Sequence, residues 1–233
     1  MNNVSNPLNE VKPSLSIVIP CYNSEGSIFN LINKIFKLEN LNYPIDEVIC
    51  INDNSTDDTL NSLQSLKKIY PRLKILNNDK NMGQVFSTLS GISESSGNYI
   101  VTIDDDNQHP PEEIIKLVEC CIKNNHDYSI GYWSPDEGFI RNISSVVANF
   151  LLNLVAFNFD GYKFTAFRVI KKEIKEGIQN KFANAQIIDL RKISKNYGKV
   201  KVRHNPFPEG RKYSNFKNRS IIFFKHLLNE IKQ

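Results

Sequence analysis

Three aspartates stand in a row in NYIVTIDDDNQHPPEEI (98–114), directly after an apolar run. Like charges repel, and each is costly to bury. Asp104, Asp105 and Asp106 at the mouth of a buried strand therefore predict a positive partner. Asp104 and Asp106 lie two residues apart, so on an extended chain their side chains point the same way. Gln108 continues that spacing and offers a neutral oxygen. Mg²⁺ or Mn²⁺ takes oxygen ligands of this kind and keeps positions open for phosphate. The same residues also read as a solvated acidic turn capping a helix that begins near Pro111. His109 reads as a residue that packs the turn rather than as a ligand.

A second polar cluster is INDNSTDDTL (51–60). Asp57, ahead of a helical run and close to Ser55 and Thr56, is ordinary N-cap chemistry. Capping leaves Asp53 unexplained. A carboxylate at the end of a strand can accept a hydrogen bond from the base N–H of a nucleotide.

The elements that must position these loops alternate along the chain. LSIVIPCYN (15–23) opens with an apolar run, a buried strand. Ile28, Leu31, Ile32, Ile35 and Phe36 then recur at helical spacing. Strands follow at IDEVICIND (45–53), RLKILNN (72–78), NYIVTID (98–104) and HDYSIGYW (126–133). Helices fall between them at 57–70, 83–96 and 111–123. Strands and helices joined by short loops predict an α/β fold, a mostly parallel central sheet with helices on both faces. Ligands of such sheets sit outside the carboxyl ends of the strands, and the polar segments PCYN, NDNSTDD and DDDNQH all fall there. Beyond Trp133 the spacing predicts a helix over 136–157, a strand over 162–170, a helix over 185–196, a strand over 199–204 and a last helix over 218–232.

The 233 residues suit one large domain with two lobes, and 40% are apolar. A formal charge of +4, with basic residues dense only near the C-terminus, gives no reason to expect nucleic acid as a partner. Cys21, Cys50, Cys120 and Cys121 lack metal-site spacing and read as reduced thiols. Residues 1–14 are a polar extension, read as neither signal peptide nor membrane span. The apolar stretch 144–159 is short and broken by Asn. A cytoplasmic location is expected.

LSIVIPCYNSEGSI, VICINDNSTDDTL, the segment from Asn81 to Ile114, and DGYKFTAFRVIKKEI (160–174) together resemble the family 2 glycosyltransferases of the GT-A fold. They most resemble the polyprenyl-phosphate (dolichyl-phosphate) sugar transferase branch. The resemblance implies one GT-A domain over 15–213, with a donor lobe to about residue 109 and an acceptor lobe beyond it. It implies inverting transfer of a sugar from a UDP-, GDP- or dTDP-linked donor, with Mg²⁺ or Mn²⁺ on the diphosphate. By position, Pro20, Tyr22 and Asn23 resemble the first donor loop, and Asp53 the aspartate on the base. Asp104 and Asp106 resemble the metal-binding pair, with Gln108 as third ligand. Arg141 and Ser145 fall where that branch holds the acceptor phosphate. Asp160 matches an aspartate near the reacting centre, and Arg211 and Lys212 a basic loop over the diphosphate.

The chain departs from the family in three places. Asn54 replaces the glycine of the second loop, and Asn tolerates a left-handed backbone. Trp133 stands where the polyprenyl branch often has an arginine. Gln186 and Ile187 stand where members with hydroxyl acceptors carry a Glu-Asp pair. The two last departures pull in opposite directions, Trp133 away from a lipid phosphate and Gln186-Ile187 away from a hydroxyl, so the resemblance implies either a polyprenyl-phosphate or a surface-glycan acceptor, the latter needing a general base. Two other functions compete: an inactive nucleotide-sugar-binding module, and a sugar nucleotidyltransferase, which should carry a Gly-rich loop in place of PCYNSEG. The 214–233 segment reads as a basic amphipathic helix, suited to a membrane surface or to a homodimer contact.

Overall fold

The computed structural model describes residues 12–38, 43–133, 163–182 and 188–206. The strands are β1 (Leu15–Cys21), β2 (Ile45–Asn52), β3 (Leu73–Asn77), β4 (Tyr99–Thr102), β5 (Tyr128–Trp133), β6 (Lys163–Lys171) and β7 (Tyr197–Lys201). The helices are α1 (Glu25–Lys37), α2 (Thr59–Ile69), α3 (Gln84–Glu94), α4 (Ile114–Lys123) and α5 (Lys175–Phe182). All seven strands join one sheet in the order β3-β2-β1-β4-β6-β5-β7. Only β6 runs antiparallel to its neighbours. The carboxyl ends of the other six strands therefore share one edge.

Every residue of β1 is buried, as a central strand covered on both faces requires. On one face, Ile28, Leu31, Ile32 and Ile35 of α1 pack with Leu63 and Leu66 of α2 and with Leu117 and Val118 of α4. On the other face, Leu89 and Ile92 of α3 pack with Ile178 and Phe182 of α5. Gly91 lets α3 lie close to the sheet: a Cβ there would come within 2.6 Å of Ile51 Cδ1. At the opposite end of the sheet from the polar loops, Glu47 is 2% exposed. Its Oε1 accepts from Ser16 Oγ at 2.6 Å and from Ser96 N at 2.7 Å. Its Oε2 pairs with Lys74 Nζ at 2.5 Å.

Strands and helices through β5 fall where the hydrophobic spacing puts them, give or take two or three residues. The expected helix over 185–196 is not formed in its described part. Residues 188–189 have no regular structure, and Leu190–Lys192 form a single 3₁₀ turn. Asp189 is extended (φ -99°, ψ 92°), so no helix runs through it; its carboxylate caps the short turn by accepting from Arg191 N and pairs with the Arg191 guanidinium. The helix of this region is α5 instead, which sequence reading left unassigned. Only Ile178 and Phe182 are buried along it, four apart on one face. The expected helices over 136–157 and 218–232 lie outside the described residues.

Candidate functional site

Three loops at the carboxyl edge are tied together with the start of α3 into a closed circuit. From the loop after β1, Asn23 Oδ1 accepts from Thr56 N at 2.8 Å, and Asn23 N donates to Ser55 Oγ at 3.1 Å. The loop after β2 then reaches the start of α3. Asp53 Oδ2 accepts from Gly83 N at 2.8 Å, and Oδ1 accepts from Met82 N at 2.8 Å and from Asn78 Nδ2 at 2.7 Å. From the first turn of α3, Gln84 Nε2 donates to Asp104 Oδ1 at 2.5 Å. The loop after β4 closes the circuit, where Asp105 Oδ2 accepts from Tyr22 N at 3.2 Å. Pro20, expected in the donor loop, is buried inside β1, while Tyr22 is exposed beyond it.

The backbone of this circuit turns sharply. Among the described residues, the non-glycine residues with positive φ are Asn23 (52°), Asn54 (56°), Asn107 (60°) and Asn125 (52°). Asn54 therefore adopts the left-handed conformation expected of it. Gly83, with φ 91°, supplies the turn ahead of α3.

The expectation that Asp104 to Gln108 run extended is corrected. Residues 105–106 form a turn, and Asn107 is left-handed. Asp106 Oδ1 accepts from Gln108 N at 2.9 Å, an Asx turn that bends the chain back. Asp104 thus stands just before the turn and Asp106 within it, rather than both on one face of a strand. The N-cap of α2 is Asp58, and Asp57, one residue earlier, ties two helices together. Its Oδ1 accepts from Thr59 N at 3.0 Å and its Oδ2 from Glu25 N at 3.1 Å, joining the first turns of α2 and α1.

Beside the acidic loop lies a cation that sequence reading missed, Arg168. It stands on β6 opposite Thr102 of β4 and Ile130 of β5, half-buried beneath the carboxyl edge. Burial lowers its pKa; the charges of Asp104 and then Asp189 push it back up. A protein group therefore meets part of the repulsion that the three aspartates create. The available signal was an arginine inside the mostly apolar stretch FTAFRVI (164–170).

On its other side, the acidic loop is held by the chain leaving β7. Asn205 N donates to Gln108 O at 2.7 Å, and Arg203 Nε pairs with Glu113 Oε1 at 2.7 Å. His109 is buried between Phe167 and His204, with ring centroids 5.1 and 5.0 Å away. Burial first, and the His204 charge second, pull its pKa down to about 4. His109 is thus the packing residue it was expected to be.

The donor set fits a hard divalent cation held by few protein ligands. The carboxylates of Asp104 and Asp106 are half-buried at the edge and offer oxygen alone. Among the described residues, no three His, Cys, Asp or Glu gather into an enclosing cage. Such a pair suits Mg²⁺ or Mn²⁺, which keep positions for phosphate and water. Arg141, Ser145, Asp160, Arg211 and Lys212 lie outside the described residues.

Comparison with known proteins bears on the family and on the fold. The family model for glycosyl transferase family 2 matches residues 16–181. Dolichol-phosphate mannosyltransferase of Pyrococcus furiosus is 31% identical over 195 residues, covering 80% of this chain. This chain spans about half of that relative, 54% of its length. UDP-N-acetylglucosamine–dolichyl-phosphate N-acetylglucosaminyltransferase of Methanococcus voltae is 26% identical over 216 residues, 80% of this chain and 84% of the relative. Among solved structures, mannosyl-3-phosphoglycerate synthase from Rubrobacter xylanophilus superposes with a TM-score of 0.65 at 16% identity, covering 95% of this chain and 76% of that one. At such identity the likeness speaks for the fold alone, and that fold is GT-A.

Proposed function

This chain belongs to glycosyl transferase family 2, and from that premise we propose that it moves a sugar from a nucleoside-diphosphate donor to a polyprenyl phosphate, with inversion at the anomeric carbon. The observation that carries the reading is the closed circuit of loops, which ties Tyr22, Asn23, Asp53, Asp104 and Asp105 together at the carboxyl edge of the sheet. Two relatives whose names include a dolichol or dolichyl phosphate acceptor support the lipid side.

In this reading the acceptor phosphate oxygen attacks the anomeric carbon from the face opposite the diphosphate. The bond from that carbon to the diphosphate oxygen breaks, and its electron pair leaves with the nucleotide. A phosphate is already ionised near neutral pH, so the step needs no strong base. The departure of the Gln186-Ile187 pair from Glu-Asp agrees with that. Asp104 and Asp106, with the Gln108 oxygen, would hold Mg²⁺ or Mn²⁺. When bound, the ion acts as a Lewis acid on the charge that builds on the leaving diphosphate. Tyr22 and Asn23 line the donor side. Asp53 keeps one acceptor position of its carboxylate for a base N–H, the other three being engaged within the chain. Arg141 and Ser145 are assigned to the acceptor phosphate, Asp160 to the reacting centre, and Arg211 and Lys212 to the diphosphate, all by their place in the sequence.

No helix among the described residues is long and apolar enough to cross a membrane. The basic amphipathic segment 214–233 supplies surface contact with the bilayer carrying the acceptor.

The test is a transfer assay pairing UDP-, GDP- and dTDP-sugars with a polyprenyl phosphate, with Mn²⁺ or Mg²⁺ and with chelator. Metal-dependent formation of a polyprenyl-phosphate sugar supports the proposal. Transfer only to a glycan hydroxyl would overturn the acceptor assignment. Metal-dependent nucleotide binding without any transfer would reduce the protein to a binding module.

A further inference from the structure

Gln84 occupies the first turn of α3, and its amide reaches across the crevice to Asp104 Oδ1 at 2.5 Å. The side chain is exposed, so no packing force places it there. Its position comes instead from the residue before it. Gly83 turns the chain at φ 91°, and its N–H donates to Asp53 Oδ2 at 2.8 Å. Met82 N and Asn78 Nδ2 bind the other oxygen of the same carboxylate. Asp53 is 3% exposed, and its own N–H donates to Cys21 O at 2.9 Å, so it is anchored to β1. Gly91 presses the rest of α3 against Val18 and Ile51. The amide of Gln84 is thus aimed from two ends, by an anchored turn and by a close-packed helix.

We propose that Asp53 and Gln84 are positioning residues for the cation site: Asp53 fixes the turn at 82–83, and Gln84 orients the Asp104 carboxylate. This deepens the role given to Asp53 and rests on the reading of Asp104 as a cation ligand. Carboxylates that bind metals are commonly held by an outer hydrogen bond of this kind, and losing it typically weakens binding 10- to 100-fold. The bond donates to one oxygen of Asp104 and so favours one rotation of the group about its last torsion. The loops after β2 and β4 are then linked mechanically, and a shift at Asp53 is felt at Asp104 through two residues of chain.

The test reads cation binding directly, from the six-line electron paramagnetic resonance signal of free Mn²⁺ during titration, with UDP, GDP and dTDP present in turn. Gln84→Met keeps the reach of the side chain and removes its donor; Gln84→Ala removes both. Because residue 84 is exposed, both variants should keep the thermal midpoint of the parent. The expected result is a rise of about tenfold or more in the Mn²⁺ dissociation constant for each. Asp53→Asn should weaken binding in the same sense, because its amide faces backbone donors that need an acceptor. Asp104→Ala is the reference. If Asp104→Ala loses Mn²⁺ while both Gln84 variants bind as the parent does, the positioning role is overturned and the cation reading stands. If Asp104→Ala binds as the parent does, the cation reading itself falls, and this inference with it.

Discussion

The indole of Trp133, the last residue of β5, stacks on the imidazole of His204 with ring centroids 4.2 Å apart and planes inclined by 15°. His204 meets His109 edge-on, and His109 lies over Phe167. An aromatic row thus runs from the end of β5 to the acidic loop, along a segment whose Asn205 also holds Gln108 O. Aromatic pairs contribute about 0.5–1.5 kcal/mol beyond the area they bury. Trp133→Ala and His204→Ala should each destabilise the fold, and the double variant should lose about 1 kcal/mol less than the sum. Urea unfolding of the four proteins measures that coupling; additivity would show that the stack contributes nothing.

The carboxylates of the acidic loop should matter for turnover far more than for folding. Asp104→Asn and Asp106→Asn keep the volume of each side chain and remove its charge. Loss of one ligand should raise the barrier by several kcal/mol, roughly a hundredfold or more in rate. Far-UV circular dichroism should be unchanged. Parent-like turnover by either variant defeats the assignment.

Glu47 should make stability depend on acid. Burial alone would raise its pKa, but hydrogen bonds from Lys74, Ser16 and Ser96 outweigh this and hold it down to about 2. A carboxylate with a depressed folded pKa binds its proton more readily when unfolded. Its contribution is therefore complete above about pH 5 and fades as the pH falls towards 2. The contribution is on the order of 3 kcal/mol at most. Denaturant unfolding at pH 7, 5, 4 and 3 should show a steeper loss for the parent than for Glu47→Gln. Parallel curves would remove Glu47 from the account.

Gly91→Ala sets two effects against each other. Alanine favours the helix by about 1 kcal/mol relative to glycine. Its methyl group, however, would press into Val18 and Ile51, both fully buried. Overpacking a dense core costs about 1–3 kcal/mol. The variant should unfold at lower denaturant than the parent, and a gain in stability would mean that α3 can lift without cost.

Removing residues 216–233 should reduce co-sedimentation with anionic liposomes. The segment carries Ile221, Phe224, Leu227, Leu228 and Ile231 at helical spacing, with Lys217, Arg219, Lys225 and Lys232 close by. Unchanged pelleting of the shortened chain would assign this stretch to packing or dimer contact instead.

Much of the architecture was legible because it rests on local periodicity. The solid apolar run of β1 and the three-and-four spacing of α1 each report a single burial pattern, and each element formed where its pattern ran. Asn54 announced its left-handed turn by residue type alone. The acidic loop, the loop after β2 and the segment PCYN were placed at one edge by the alternation of strand and helix, which leaves six strands pointing the same way. What sequence could not supply were contacts between residues far apart in the chain. The charge facing Asp104 comes from Arg168, 64 positions later, and depends on β6 pairing antiparallel beside β4. Asp53 reads as a ligand group, and no local pattern announced that its carboxylate also accepts from Met82 N and Gly83 N. Around Asp189 the backbone is extended and only a single capped 3₁₀ turn follows, in place of the expected helix. Periodicity records which side of an element is buried. Which partner lies across the crevice is decided only when the sheet has assembled and brings distant loops within hydrogen-bond reach.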